Sequence, residues 1–165
     1  MYTEIANLLR FGGLLGMRIY LDNCCYNRPY DSQETFKISM ETRSKLHIQE
    51  EIKQGKYELV SSYMLEYENS QNTDYMKRDA IKQYQDTYYT YYIPVERREK
   101  LQDKIQEIMG YNIAYKDASH LACAIYAKCE YLLTTDIRFQ RRYKGNEIKI
   151  LNPVEFINLV EEENI

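Results

Sequence analysis

The chain has no tryptophan, only three prolines and only six glycines in 165 residues. That composition excludes a collagen-like repeat and a Pro/Gly-rich disordered linker. It also lacks any run of ~18 uncharged apolar residues, so a membrane-spanning helix is not expected. Basic residues are not in excess: 22 Lys and Arg stand against 25 Asp and Glu, a net charge of −3. Binding through a broad cationic surface is thereby excluded, and any contact with nucleic acid must be local. The Walker lysine motif, the G-x-S-x-G nucleophile turn and the G-x-G-x-x-G fingerprint are all missing.

Cysteine chemistry is sparse as well. Cys24, Cys25, Cys123 and Cys129 include no C-x-x-C pair, which leaves a zinc site from Cys24, Cys25, His120 and Cys123 weakly supported. Cys24 and Cys25 are adjacent and ill-placed to bridge each other, and a reduced, cytoplasmic setting is expected. What is abundant is tyrosine, with 18 Tyr against 4 Phe. Either a base-stacking surface or a compositional bias that also favours Lys, Asn and Ile accounts for it.

At 44% apolar and 28% charged residues, the chain has the composition of one folded domain of ~100–200 residues. Residues 1–16 read as an upstream extension, too short and too poor in basic residues for a signal peptide. Within it, Thr3 to Phe11 suits a short helix stopped by Gly12 and Gly13. Residues 17–165 read as a single domain. Arg18 to Leu21 is strand-like, Pro29 marks a loop, and Ser32 to Gln54 is a long helix stopped by Gly55. A strand over Tyr57 to Ser61 leads into a helix from Tyr63, capped by the Ser62 hydroxyl. Helix from Asp74 to about Thr87, strand from Tyr88 to Ile93, and helix from Pro94 to Gly110 follow. Asp117 begins a helix whose Ala118, Leu121, Ala122 and Ile125 share one apolar face. Tyr131 to Thr134 and Ile148 to Leu151 are strands, and Pro153 opens a terminal helix through Phe156, Leu159 and Val160. Strands alternating with helices imply a mostly parallel sheet covered on both faces, an α/β fold.

Ligands of such sheets gather at the carboxyl ends of the strands. Asp22 follows the first strand, Glu66 and Glu68 follow the second, and Asp136 follows Leu132 to Thr135. Asp117 opens the helix leading to that last strand. One acid after a strand is usually a helix cap, but four on one side of a sheet would repel one another and hold protons. A divalent cation removes that penalty, and hard oxygen donors suit Mg²⁺ or Mn²⁺. Such an ion activates water and neutralises charge on a phosphodiester.

The stretches Ile19-Tyr20-Leu21-Asp22-Asn23, Ser61 to Glu68, Asp117-Ala118-Ser119-His120-Leu121-Ala122 and Leu133-Thr134-Thr135-Asp136 resemble, in order, those of the PIN-domain family of metal-dependent nucleases. With Ile150-Leu151-Asn152-Pro153 they resemble a bacterial, VapC-like branch, and the resemblance covers roughly Met17 to Phe156. It implies a three-layer α/β/α sandwich, Mg²⁺ or Mn²⁺ dependence, and endoribonuclease activity, often as the toxin of a type II toxin–antitoxin pair. Asp22, Asp117 and Asp136 match the family's metal-binding aspartates. The second acid is Glu68 or Glu66; Glu68 is favoured, lying inward with Met64 and Leu65.

Around these acids, Thr134, Thr135 and Asn23 are candidates to orient carboxylates. His120 reads as a hydrogen-bonded structural histidine rather than a general base. Arg138, Arg141 and Arg142 belong to the densest basic run and are candidates to hold substrate phosphates, with Arg28 a second candidate. The Tyr88–Tyr92 run suits either stacking platforms or a half-buried strand. The Ser32–Gln54 helix carries Phe36, Ile38, Met40, Leu46 and Ile48, a face for the core or for a partner, either an antitoxin segment or a second copy. A non-catalytic binding module on the same fold is the main alternative. A phosphotransfer domain using Asp22 fits poorly, because a second Asp is wanted where Cys24 stands.

Overall fold

The computed structural model describes residues 16–163, so the helix expected over Thr3–Phe11 lies outside the described residues. The first strand, β1 (Met17–Leu21), runs into a short helix, α1 (Asn23–Asn27), and a 3-10 turn at Arg28–Tyr30. A loop alone was expected around Pro29. The Asp22 side chain instead accepts from the Asn23 N–H and starts α1, as a short acid does at a helix N-terminus. Consequently α2 (Phe36–Lys53) begins four residues later than the expected Ser32. It ends as anticipated, at Gly55, whose φ of 77° is a conformation glycine adopts without strain.

The chain continues through β2 (Tyr57–Ser62), α3 (Tyr63–Ser70), α4 (Tyr75–Tyr88) and β3 (Tyr89–Ile93). A 3-10 turn at Val95–Arg97 leads to α5 (Arg98–Met109), then α6 (Tyr115–Tyr126) and β4 (Tyr131–Leu133). The last elements are α7 (Ile137–Arg142), β5 (Lys149–Leu151) and α8 (Pro153–Glu163). Asp117 does not open its helix: α6 starts two residues earlier, which puts Asp117 in its first turn.

All five strands are parallel, in the order β3-β2-β1-β4-β5. Register shows how both faces are covered. Tyr57 and Tyr131 pair with Met17 and Ile19, residues of one parity, and both pack edge-on against Phe156 of α8 at 5.3 Å. Tyr20 has the opposite parity and meets His120 of α6. Ile19, Tyr20 and Leu21 are accordingly all buried, the signature of a central strand between two helical layers. One layer pairs α2 with α8, and the other pairs α5 with α6.

The chain leaves β1 toward β2 and β3 on one side, then returns to β4 and β5 on the other. The reversal between β1 and β4 opens a crevice at their carboxyl ends. The Asp22 N–H donates to the Leu133 carbonyl at 2.9 Å across that crevice.

Candidate metal centre

Four elements deliver side chains to this edge. Asp22 leaves β1 almost fully buried, with Oδ2 accepting from Thr134 Oγ1 at 2.9 Å and Oδ1 held by the Asn23 N–H. Thr134 Oγ1 also accepts from the Asp136 N–H at 3.1 Å, so one hydroxyl fixes both acidic loops. Asp136 is exposed, and its Oδ1 caps α7 by accepting from the Arg138 and Phe139 N–H groups. Its capping role and its position at the site therefore coexist.

Helix phase sends the two glutamates to different neighbours. Glu68 turns toward Asp22 and accepts from Asn23 Nδ2 at 3.2 Å. Glu66 is exposed and accepts from the Tyr92 hydroxyl at 2.7 Å. The lone Ser62 hydroxyl sets this phase by accepting from the Leu65 N–H, the cap expected from sequence.

His120 is fully buried and its Nε2 lies 2.5 Å from Glu68 Oε1 and 3.9 Å from Asp22 Oδ1. Its Nδ1 is 2.6 Å from the Tyr20 hydroxyl, itself 2.6 Å from Ser62 Oγ. The chain Glu68–His120–Tyr20–Ser62 thus runs through hydrogen-bonded neighbours from the cluster to the start of α3. One nitrogen of His120 and one oxygen each of Asp22 and Glu68 fall within 4.8 Å of one another. Among the described residues this is the set of His, Cys, Asp and Glu close enough to share an ion. Asp117 and Asp136 fall outside this set, although Asp117 feels the charges of Asp22, Asp136 and Glu68, and the Cys24, Cys25, His120, Cys123 grouping is not assembled among the described residues.

Electrostatics reflects this crowding. Burial pushes Asp117 up to about 6 from 3.8, with Asp22 and Asp136 adding to the rise. Burial also opposes ionisation of Glu68, but His120, Lys116 and Asn23 outweigh it and hold its carboxyl below the usual value. For His120 burial acts downward, and Glu68, Asp22 and Asp117 together raise it. An ionised Glu68–His120 pair is the arrangement both shifts favour.

Sequence reasoning missed two neighbours. Tyr20 would pass as ordinary core, yet it positions His120. Cys24 Sγ lies 3.2 Å from Thr134 Oγ1 and 3.4 Å from Asp22 Oδ2, and the Thr135 N–H points to it. Only its place two residues after Asp22 hinted at this. A cavity of about 470 Å³ opens beside the cluster, lined by Asn23, Cys24, Arg28, Glu68, Thr135 and Asp136 among others. Asn23 Oδ1 is buried there without a hydrogen-bond partner.

The cationic candidates separate in the same way. Arg28 reaches the cavity, but its guanidinium is engaged by Asp31 and Glu41. Arg138, Arg141 and Arg142 are exposed on α7, and Arg142 donates to the Asn112 carbonyl at 3.0 Å. Of the Tyr88–Tyr92 run, Tyr88 closes α4 and Tyr89 to Tyr92 lie in the edge strand β3, where Tyr89 packs at a tilt on Tyr92 and Arg18 covers Tyr91.

The chain is thus an α/β fold with a five-stranded parallel sheet and acidic side chains beyond its strand ends. Two solved structures share it. One is VapBC2 from Rickettsia felis, bound to a DNA fragment from its promoter: TM-score 0.51, 14% identity, covering 82% of this chain and 98% of that one. The other is FitAcB from Neisseria gonorrhoeae: TM-score 0.50, 16% identity, covering 82% of this chain and 97% of that one. No family model and no curated protein sequence matches the chain. At such identities the likeness is one of fold, and the chemistry must be argued from the residues present.

Proposed function

We propose that the chain is a Mg²⁺- or Mn²⁺-dependent endoribonuclease that hydrolyses phosphodiester bonds. The observation that carries this reading is the approach of Asp22, Glu68 and His120 to within 4.8 Å of one another, with Asp117 near enough to feel the charges of Asp22, Asp136 and Glu68. Burial, with Asp22 and Asp136 adding to it, pushes Asp117 up to about 6, and neighbouring carboxylates are a donor set that favours a hard divalent cation. The buried, unpartnered Asn23 Oδ1 beside them fits a polar ligand in the same cavity.

Asp22, Glu68, Asp117 and Asp136 would hold the ion. When bound, a divalent cation neutralises charge on the transferring phosphate and acidifies the attacking water. The rest of the work falls to the protein. Thr134 keeps an Asp22 oxygen in place, and the Thr135 backbone closes the same loop. Asn23 and His120 together hold Glu68 in one rotamer, so no reorganisation is needed when the ion arrives. Asp117 must surrender its proton before it can act as a ligand. Arg138 and Arg141 hold phosphates flanking the cut. The reading also expects a cytoplasmic toxin with an antitoxin protein as partner, which the likeness to VapBC2 and FitAcB supports. A second copy of the chain is the other partner it allows. No helix among the described residues is long and apolar enough to cross a membrane.

Cleavage of a panel of defined RNAs, with Mn²⁺ or Mg²⁺ and with excess chelator, tests the proposal. Asp22→Asn is expected to cut at least ~100-fold more slowly while keeping its circular dichroism spectrum. In calorimetry, Glu68→Gln loses Mn²⁺ binding and Glu66→Gln keeps it. Undiminished cleavage in chelator, or by Asp22→Asn, would overturn the mechanism.

A further inference from the structure

Beside the carboxylate cluster runs a second depression, about 680 Å³ in volume, walled by Tyr63, Tyr67, Val95, Arg98, Tyr115 and Lys116. Its size falls within the range of about 300–1,000 Å³ typical of ligand clefts. Three features set it apart from ordinary surface.

The first is unused aromatic area. Tyr67 is 58% exposed and Tyr115 is 44% exposed. Among the described residues neither they nor Tyr63 pack on another aromatic ring, unlike Tyr89 and Tyr92 of β3. The second is unused polar capacity. Tyr63 has a buried hydroxyl with no hydrogen-bond partner, and Arg98 pairs with no carboxylate among the described residues. The third is continuity with the cluster. Tyr67 and Glu68 are consecutive, as are Tyr115, Lys116 and Asp117, and Lys116 Nζ lies 3.7 Å from Glu68 Oε2. The same two helices thus present rings and cations on one face and acids on the next.

We infer that this groove holds the unpaired nucleotides next to the scissile phosphate, stacking their bases on Tyr67 and Tyr115 while Arg98 and Lys116 take their phosphates. The inference rests on the nuclease reading and assigns that site its substrate grip. Rings alternating with cations fit a polyanion whose bases have exposed π-faces, whereas an apolar peptide would leave Arg98 buried and unpaired. Glu66 also borders the groove, but its carboxylate is engaged by the Tyr92 hydroxyl. The arrangement also explains how a chain of net charge −3 can hold RNA locally.

Fluorescence anisotropy with a short labelled oligouridylate, in chelator so that no cleavage occurs, tests this directly. Tyr67→Ala and Tyr115→Ala should each weaken binding about tenfold, and Tyr67→Phe should retain it. An abasic ribose-phosphate oligomer should bind all three variants as it binds the wild type. Thermal melts establish that the variants are folded. Alanine variants that bind the oligouridylate like the wild type would overturn the groove, even if Mn²⁺-dependent cleavage is intact. Equal losses on the abasic oligomer, or no wild-type binding at all, would overturn it too and favour a protein occupant. Loss confined to the base-bearing probe upholds the groove even where no cleavage is found, in which case the nuclease reading alone fails.

Discussion

Asp117 is held in a surrounding that disfavours its charge, through burial and through the acids beside it. Burial first, then Asp22 and Asp136, move its carboxyl from 3.8 to about 6. A folded-state value above the unfolded one means that the native protein binds more protons between those two pH values. Its contribution to stability is therefore complete below about 3.8 and is lost as the pH rises through about 6. At pH 7 Asp117→Asn should raise the melting temperature of the metal-free protein. The gain should shrink on titration to pH 4, and melts recorded across that range check the sign. The reverse holds for Mn²⁺ affinity, which should weaken as the pH falls below about 6 and Asp117 takes up its proton. That acids stand at these places was legible in the sequence, and Asp22, Asp117 and Asp136 each lie within two residues of a helix start. Glu68 over Glu66 was a matter of helix phase, and Ser62 fixes that phase through Leu65.

Ser62 also shows how an element's local cap becomes part of the site. Its hydroxyl begins α3 and at the same time meets the Tyr20 hydroxyl, which holds His120. Ser62→Ala removes the cap and leaves a buried phenol with one partner fewer. A loss of about 2 kcal/mol is expected in urea or thermal melts, more than the ~1 kcal/mol of a simple cap. Several caps and stops were readable locally, including Ser62 before α3 and Gly55 after α2. The start of α6 was not. No side-chain cap marks it, so the short acid Asp117 looked like the first residue. The short helix α1 escaped for a related reason. It has five residues, too few for periodicity to register, and it exists because Asp22 is held against β4.

Across the whole molecule, the parallel sheet keeps like charges together and relies on a rigid frame to do so. Phe156 braces both β2 and β4 from one face, while Tyr20 and His120 tie β1 to α6 on the other. A cation that neutralises the cluster should stabilise this frame by linkage. At Mn²⁺ a hundredfold above its dissociation constant, the gain is about 2.7 kcal/mol, or roughly 5–10 °C in melting temperature. Differential scanning fluorimetry with and without Mn²⁺ measures it, and Glu68→Gln should abolish the shift.

Residue order alone determined the alternation of strands and helices, their caps, and the presence of an acid beyond each of several strand ends. These are local properties, set by side-chain periodicity and by hydrogen bonds within a few residues. The meeting of Asn23 with Glu68, of His120 with Glu68 and of Thr134 with Asp22 spans 45, 52 and 112 residues. The tyrosine-lined groove likewise draws on separate elements, α3, the Val95–Arg97 turn, α5 and α6. Those contacts depend on strand order and helix packing, which bring together groups that carry no mark of one another along the chain.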